Sequence, residues 1–156
     1  MFESLRPHGV IPVVAVEDRD SGLRICEALQ AGGLPVAEIT FRTEAAEATI
    51  RAAAKEFPDM IIGAGTVLSG DNLKRAVDAG ASFAVAPGCN PDVIREAVDQ
   101  AFPFAPGVCT ASDIEQALRF GLRDLQFFPA EAAGGVGLPR ALNGPYGHLD
   151  LSFCPT

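Results

Sequence analysis

The chain reads as a parallel α/β protein of the TIM (β/α)8-barrel class, and three observations predict it. Apolar runs begin near residues 10, 36, 60, 82, 103, 124 and 150, a repeat of 20 to 26 residues, with helix-like stretches between them. Such alternation is the pattern of βα units around a parallel sheet. The runs are apolar on both faces, as strands covered by helices must be. Seven units also exceed the roughly five or six strands of a doubly wound sheet and approach the count of a barrel. No shift in composition divides the chain, so residues 1–156 are expected to form one barrel domain, lacking the last strand and its helices. An open seven-stranded barrel leaves two unpaired edge strands, which another element or another subunit would have to cover.

The elements follow in order. Val10–Val16 (VIPVVAV) is β-branched and predicts the first strand. Ser21–Ala31 places Leu23, Cys26, Ala28 and Leu29 at helical spacing, and Gly32-Gly33 stops it. Val36–Thr40 (VAEIT) is the second strand; Thr43 is a candidate N-cap for an Ala-rich helix over Glu44–Phe57 that ends at Pro58. Met60–Gly63 runs into Ala64-Gly65-Thr66, and Asp71 leads a helix over Asn72–Ala79 with Gly80 as its stop. Ser82–Ala86 ends at Pro87-Gly88, and Pro91 suits the first turn of a helix over Asp92–Gln100. Pro103–Ala105 ends at Pro106-Gly107. Thr110 or Ser112 caps a helix through Phe120, with Gly121 after it. Asp124–Phe128 is the sixth strand, followed by a Gly-rich loop, a short helical piece near Leu138–Leu142, and a last strand over Asp150–Cys154.

Composition bounds the function. A chain of 156 residues is large enough to bury about 70% of its unfolded surface. Apolar residues make up 48% of it, and the net charge is −8, which argues against nucleic acid or an anionic membrane as partner. No apolar run approaches the ~20 residues of a spanning helix, and the N-terminus has no signal-peptide pattern. The four cysteines (Cys26, Cys89, Cys109, Cys154) show no metal-ligand spacing, so a reduced cytoplasmic protein without a metal site is expected.

In a barrel, chemistry collects at the C-terminal ends of strands. Those ends offer Glu38, Thr40 and Arg42 on the second strand, Thr66 on the third, and Pro87 on the fourth. Gln126 and Phe128 lie on the sixth. Glu38 stands in an otherwise apolar strand. Burial would raise its pKa and a nearby Arg42 would lower it, a competition suited either to a general acid/base or to a structural Glu–Arg pair. Arg42 offers a bidentate fork for a carboxylate. Gly63-Ala64-Gly65-Thr66 would let the backbone approach a ligand, or would serve as a plain tight turn. Gln126 alternates with Leu125 and Phe127 and therefore faces away from them, toward the interior. His8 and His148 lie at no strand end, so nucleophilic pairs built on histidine find no support.

Six motifs occur in order. They are Glu38-Ile39-Thr40-Phe41-Arg42-Thr43, Gly63-Ala64-Gly65-Thr66-Val67, Ala86-Pro87-Gly88, Pro106-Gly107-Val108, Phe127-Phe128-Pro129-Ala130-Glu131 and Phe153-Cys154-Pro155-Thr156. Together they resemble the 2-keto-3-deoxy-6-phosphogluconate (KDPG) and 4-hydroxy-2-oxoglutarate aldolases, from about residue 9 to the end. The resemblance implies a homotrimeric barrel and a class I aldol cleavage that needs no metal or cofactor. It implies substrates that are 2-oxo acids: a phosphorylated keto-deoxy sugar acid yielding pyruvate and glyceraldehyde 3-phosphate, or a smaller acid yielding pyruvate and glyoxylate. It assigns the general acid/base to Glu38, carboxylate contacts to Arg42 and Thr66, and substrate packing to Phe128, with Pro87 beside the substrate.

Two departures stand out. The family's Schiff-base lysine, the residue before Phe-Phe-Pro, falls on Gln126, and an amide cannot form an imine. The only lysines, Lys55 and Lys74, are in predicted helices away from the strand ends. The family also continues past Cys-Pro-Thr with phosphate-binding loops. Three accounts of Gln126 follow: an engineered Lys→Gln, a naturally inactive paralogue, or an active variant with different chemistry. The corresponding functions are an aldolase inactive as written, a non-catalytic module binding pyruvate or a related 2-oxo acid, or an enzyme using Glu38 to enolise its substrate without an imine.

Overall fold

The structure, a computed structural model, describes residues 2–156. The chain divides into two compact units, one running to Ala84 and the other spanning Val85–Thr156.

In the first unit a short helix α1 (Phe2–Leu5) precedes strands β1 (Val13–Val14), β2 (Val36–Thr40) and β3 (Ile61–Gly65), then the first two residues of β4 (Phe83–Val85). They pair in that order, all parallel, with Phe83 and Ala84 of β4 against β3. Helices α2 (Arg19–Ala31), α3 (Ala46–Glu56) and α4 (Gly70–Asp78) make the crossovers. Register sorts the side chains into two faces, because partners in a parallel pair project the same way and the period is two. Val14, Ile39, Ala64 and Ala84 form one row; with Ala37 and Ile62 they give a fully apolar, buried face. Helices α2 and α3 lie against β2 and β3 and cover this face. Val13, Glu38, Gly63 and Phe83 form the row on the other face, with Thr40 and Gly65 one step further along. Helix α2 approaches α3 closely because Gly22 has no side chain: a Cβ there would lie 2.3 Å from Cγ2 of the buried Thr49.

Two local expectations change. The run Val10–Val16 predicts a longer first strand than β1. Pro12 has no N–H for a ladder, Gly9 takes a left-handed φ of 73°, and Val10 is left exposed. Thr43 does not cap α3. Its hydroxyl donates to the Val16 carbonyl at 2.5 Å, fastening the β2 exit to the chain after β1, and α3 starts three residues later without a side-chain cap.

The second unit carries β5 (Phe104–Ala105), β6 (Gly107–Val108), β7 (Asp124–Phe127) and β8 (Ser152–Pro155), with helices α5 (Pro91–Asp99), α6 (Ala111–Arg119) and α7 (Gly137–Tyr146). Pro106, lacking an N–H, splits one strand position into β5 and β6. Seven strand positions result among the described residues, at the spacing the sequence predicts. β6, β7 and β8 pair in parallel. Helix α5 begins as expected, with Pro91 in its first turn and the Asn90 side chain accepting from the Asp92 N–H. Thr110, rather than Ser112, caps α6 in a reciprocal box with Asp113. Val108, Ile114, Ala117 and Leu125 form the core between α6 and the sheet; burying a leucine such as Leu125 stabilises by about 2 kcal/mol. Helix α7 extends beyond the expected Leu138–Leu142. β8 starts two residues later than Asp150, because Asp150 takes a left-handed φ of 53° that no strand residue adopts.

Candidate active site

In the first unit the polar groups lie on the face of the sheet that the helices do not cover. Glu38, in the middle of β2, is 6% exposed. Burial pushes its carboxyl up to about 7, and the Arg42 guanidinium offsets part of that rise. Its side chain leans one step along the strand and lies over Gly65 of β3, where an added Cβ would be 2.0 Å from Oε1. Gly63 is crowded from the other side: a Cβ there would be 2.1 Å from Cζ of Phe83. The space above the two glycines is therefore filled by the protein's own side chains, which corrects the expectation of close ligand approach there. Thr40, on the same face as Glu38, donates its hydroxyl to the Val14 carbonyl at 3.3 Å.

At the ends of β2 and β3, Arg42 Nε donates to Thr66 Oγ1 at 3.2 Å, and the Phe41 N–H donates to the Gly65 carbonyl at 2.8 Å. Thr66 is held at φ 57°, a left-handed conformation costing a β-branched residue on the order of 1–3 kcal/mol. The Arg42–Thr66 bond ties this strained residue to an exposed guanidinium, leaving the rest of the fork free to meet an anion.

In the second unit Gln126 is 6% exposed, and its N–H donates to the Pro106 carbonyl at 2.9 Å. It shares a row with Gly107 and Cys154, opposite the face on which Leu125 and Phe127 pack. Its Oε1 is buried and accepts no hydrogen bond from the described residues. Phe128, half-buried, closes the strand with its N–H on the Val108 carbonyl at 3.3 Å. Pro87, also half-buried, passes so close to Gly107 that a Cβ on that glycine would sit 2.2 Å from the proline's carbonyl carbon.

The other candidates stand apart. Lys55 lies exposed on α3. Lys74 lies on α4, paired with Asp78 at 2.6 Å. Cys89 donates to the Asp113 carbonyl, and burial pushes its thiol up, away from the reactive thiolate. Among the described residues no group of three or more His, Cys, Asp or Glu could hold a metal ion, and no helix is long and apolar enough to cross a membrane. Phe83 was not a candidate from sequence; its signal, a large aromatic two strands from Glu38, needed the register to be read.

A parallel strand array carrying a near-neutral buried carboxyl and an arginine–hydroxyl pair places the protein in the α/β barrel class. The solved structures agree on the class. The KDPG aldolase of Legionella pneumophila, with pyruvate captured as a covalent carbinolamine intermediate, matches with a TM-score of 0.89 and 37% identity over 94% of this chain and 70% of that one. The Zymomonas mobilis enzyme with 3-phosphoglycerate matches with a TM-score of 0.88 and 40% identity, over 94% and 68%. The 2-dehydro-3-deoxy-phosphogluconate aldolase of Haemophilus influenzae is 44% identical over 97% of this chain and 71% of its own length. The sequence profile "Aldolase: KDPG and KHG aldolase" matches residues 1–156. This chain belongs to the KDPG and KHG aldolase family, whose named members are aldehyde-lyases.

Proposed function

We propose that the chain is a 2-oxo acid aldolase scaffold from which the imine-forming step is missing. In class I cleavage a lysine amine condenses with the keto carbon and water leaves. The carbon–carbon bond then breaks as its electron pair moves into the iminium. Gln126 occupies the position of that amine by resemblance, and its nitrogen lone pair is committed to the amide. The remaining roles are retained. Glu38 moves protons, since a carboxyl near 7 both holds and releases one at neutral pH. By the same resemblance, the role of receiving the substrate carboxylate falls on Arg42 and Thr66, and that of bordering its carbon chain on Phe128 and Pro87. Substrates of the lysine form are the phosphorylated keto-deoxy sugar acid, giving pyruvate and glyceraldehyde 3-phosphate, and 4-hydroxy-2-oxoglutarate, giving pyruvate and glyoxylate. The working form is a homotrimer in the cytoplasm, with no cofactor and neither nucleic acid nor membrane as partner.

The observation that carries this reading is Glu38, a carboxyl kept buried without a direct ionic partner among the described residues. A purely structural Glu–Arg pair would close into a salt bridge, and Arg42 bonds to Thr66 instead. The test is intact mass after incubation with pyruvate and borohydride. The expected result is no adduct on the chain as it stands and one reduced pyruvyl group on Gln126→Lys, with retro-aldol turnover appearing in that variant alone. An adduct on the unmodified chain, or none on Gln126→Lys, overturns it.

Gln126, buried on its strand, favours a second reading, a non-catalytic module for pyruvate or a related 2-oxo acid, because its side-chain N–H can donate where its Oε1 can only accept. Gln126 keeps an amide N–H for a keto oxygen. Calorimetry decides: pyruvate binding that is lost in Arg42→Ala supports the module, and absent binding removes it.

A further inference from the structure

The two glycines of β3 face the same way, two residues apart, and each is overlaid by a side chain from a neighbouring strand. Phe83 crosses Gly63 from β4, its ring tip filling the place of the missing Cβ. Glu38 crosses Gly65 from β2, its carboxyl filling that place. One pleat repeat, about 7 Å, separates the two seats. Glu38, Gly63 and Phe83 are also direct register partners, so the stem of Glu38 rises beside the ring before its carboxyl leans over Gly65. Phe83 is fully buried, and the Phe2 ring of α1 meets it edge-on at 5.8 Å between centroids.

We infer that Gly65, Phe83 and Phe2 are positioning residues for Glu38. Gly65 provides the seat for its carboxyl, Phe83 the dry wall beside its stem, and Phe2 the stop that holds the Phe83 ring across β3. The inference rests on Glu38 being the proton shuttle. β1, β3 and β4 present Val13, the two glycines and Phe83 to Glu38's row. Arg42, past the end of β2, is the charge whose field reaches its carboxyl. The wall and the seat keep water from the carboxyl. Closing the seat with a methyl pushes the carboxyl toward the strand ends, where water and the guanidinium favour its ionised form. Shrinking the wall admits water from below with the same sign.

The test is a pH titration of the full chain labelled with 13C at glutamate carboxyls, the Glu38 signal being the one that disappears in Glu38→Gln. The expected result is a midpoint near 7 in the parent. It should fall by about one pH unit or more in Gly65→Ala and Phe83→Leu, and by less in Phe2→Ala. The other carboxyl signals should stay where they are. A role confined to stability would lower the melting temperature and leave the midpoint in place, and that result in Gly65→Ala or Phe83→Leu overturns the inference. Should neither variant fold, Phe2→Ala decides alone, since Phe2 lies on the short first helix: an unmoved midpoint overturns the inference. The readout needs no turnover. An inactive Gln126→Lys enzyme would therefore sink the aldolase reading and leave this result standing. In an active one, the pH–rate profile should move with the Glu38 midpoint.

Discussion

Glu38 sets a measurable stability signature of its own. Below pH 4.5 the group is neutral in both folded and unfolded chains. Between 4.5 and about 7 the folded chain keeps a proton that the unfolded chain releases, so stability falls as pH rises through this window. Above 7 both forms are ionised and the whole cost is in place, on the order of 3 kcal/mol for this rise. Glu38→Gln removes the titration and keeps the shape. Urea unfolding at pH 5 and pH 8 should show the parent losing about 2.5 kcal/mol more than Glu38→Gln between the two conditions; equal losses would contradict the buried carboxyl. At Thr66 the strain and the contact pull apart. Thr66→Gly should raise stability by about 1 kcal/mol by relieving the left-handed backbone. It should also weaken pyruvate retention in calorimetry, because Arg42 loses its anchor.

At the scale of elements, α6 is the clearest case of a helix specified by its first turn. Asp113 Oδ2 accepts from the N–H groups of Cys109 and Thr110 and from the Thr110 hydroxyl, while Thr110 Oγ1 accepts from the Asp113 N–H. Thr110→Ala should cost about 1 kcal/mol in thermal or urea unfolding, with the Glu38 titration unmoved. The sequence narrowed that cap to Thr110 or Ser112, both local signals, and the reciprocal bond with Asp113 decides for Thr110. The α3 start was not legible in this way. Thr43 had the right chemistry, but its hydroxyl found the Val16 carbonyl, a partner 27 residues away that no local pattern reveals. The same division holds inside the sheet. Apolar alternation was enough to turn Gln126 away from Leu125 and Phe127, whereas Glu38, in a strand apolar on both sides, could be marked only as an odd residue. What lies beside Glu38 depends on pairing register, a long-range property, so the overlay of Phe83 and Glu38 on the two glycines could not be read from the order of residues.

For the whole molecule, the repeat of strand runs predicted the class, and the solved relatives confirm it. Boundaries shifted where single residues forbade the ladder: Pro12 and Pro106 by lacking an N–H, Asp150 by its left-handed backbone. The proposed homotrimer makes its own prediction. Sedimentation equilibrium should give three times the chain mass, and a monomer at all concentrations would contradict it.

The buried amide at position 126 also has a genetic consequence. Both glutamine codons become lysine codons by exchanging their first base, C for A, and the reverse exchange is equally short. One transversion thus separates an amide from an amine at the same point of the same strand. In a host dependent on the cleavage, revertants at this codon should outnumber suppressors elsewhere, because no second lysine lies on a strand to be recruited.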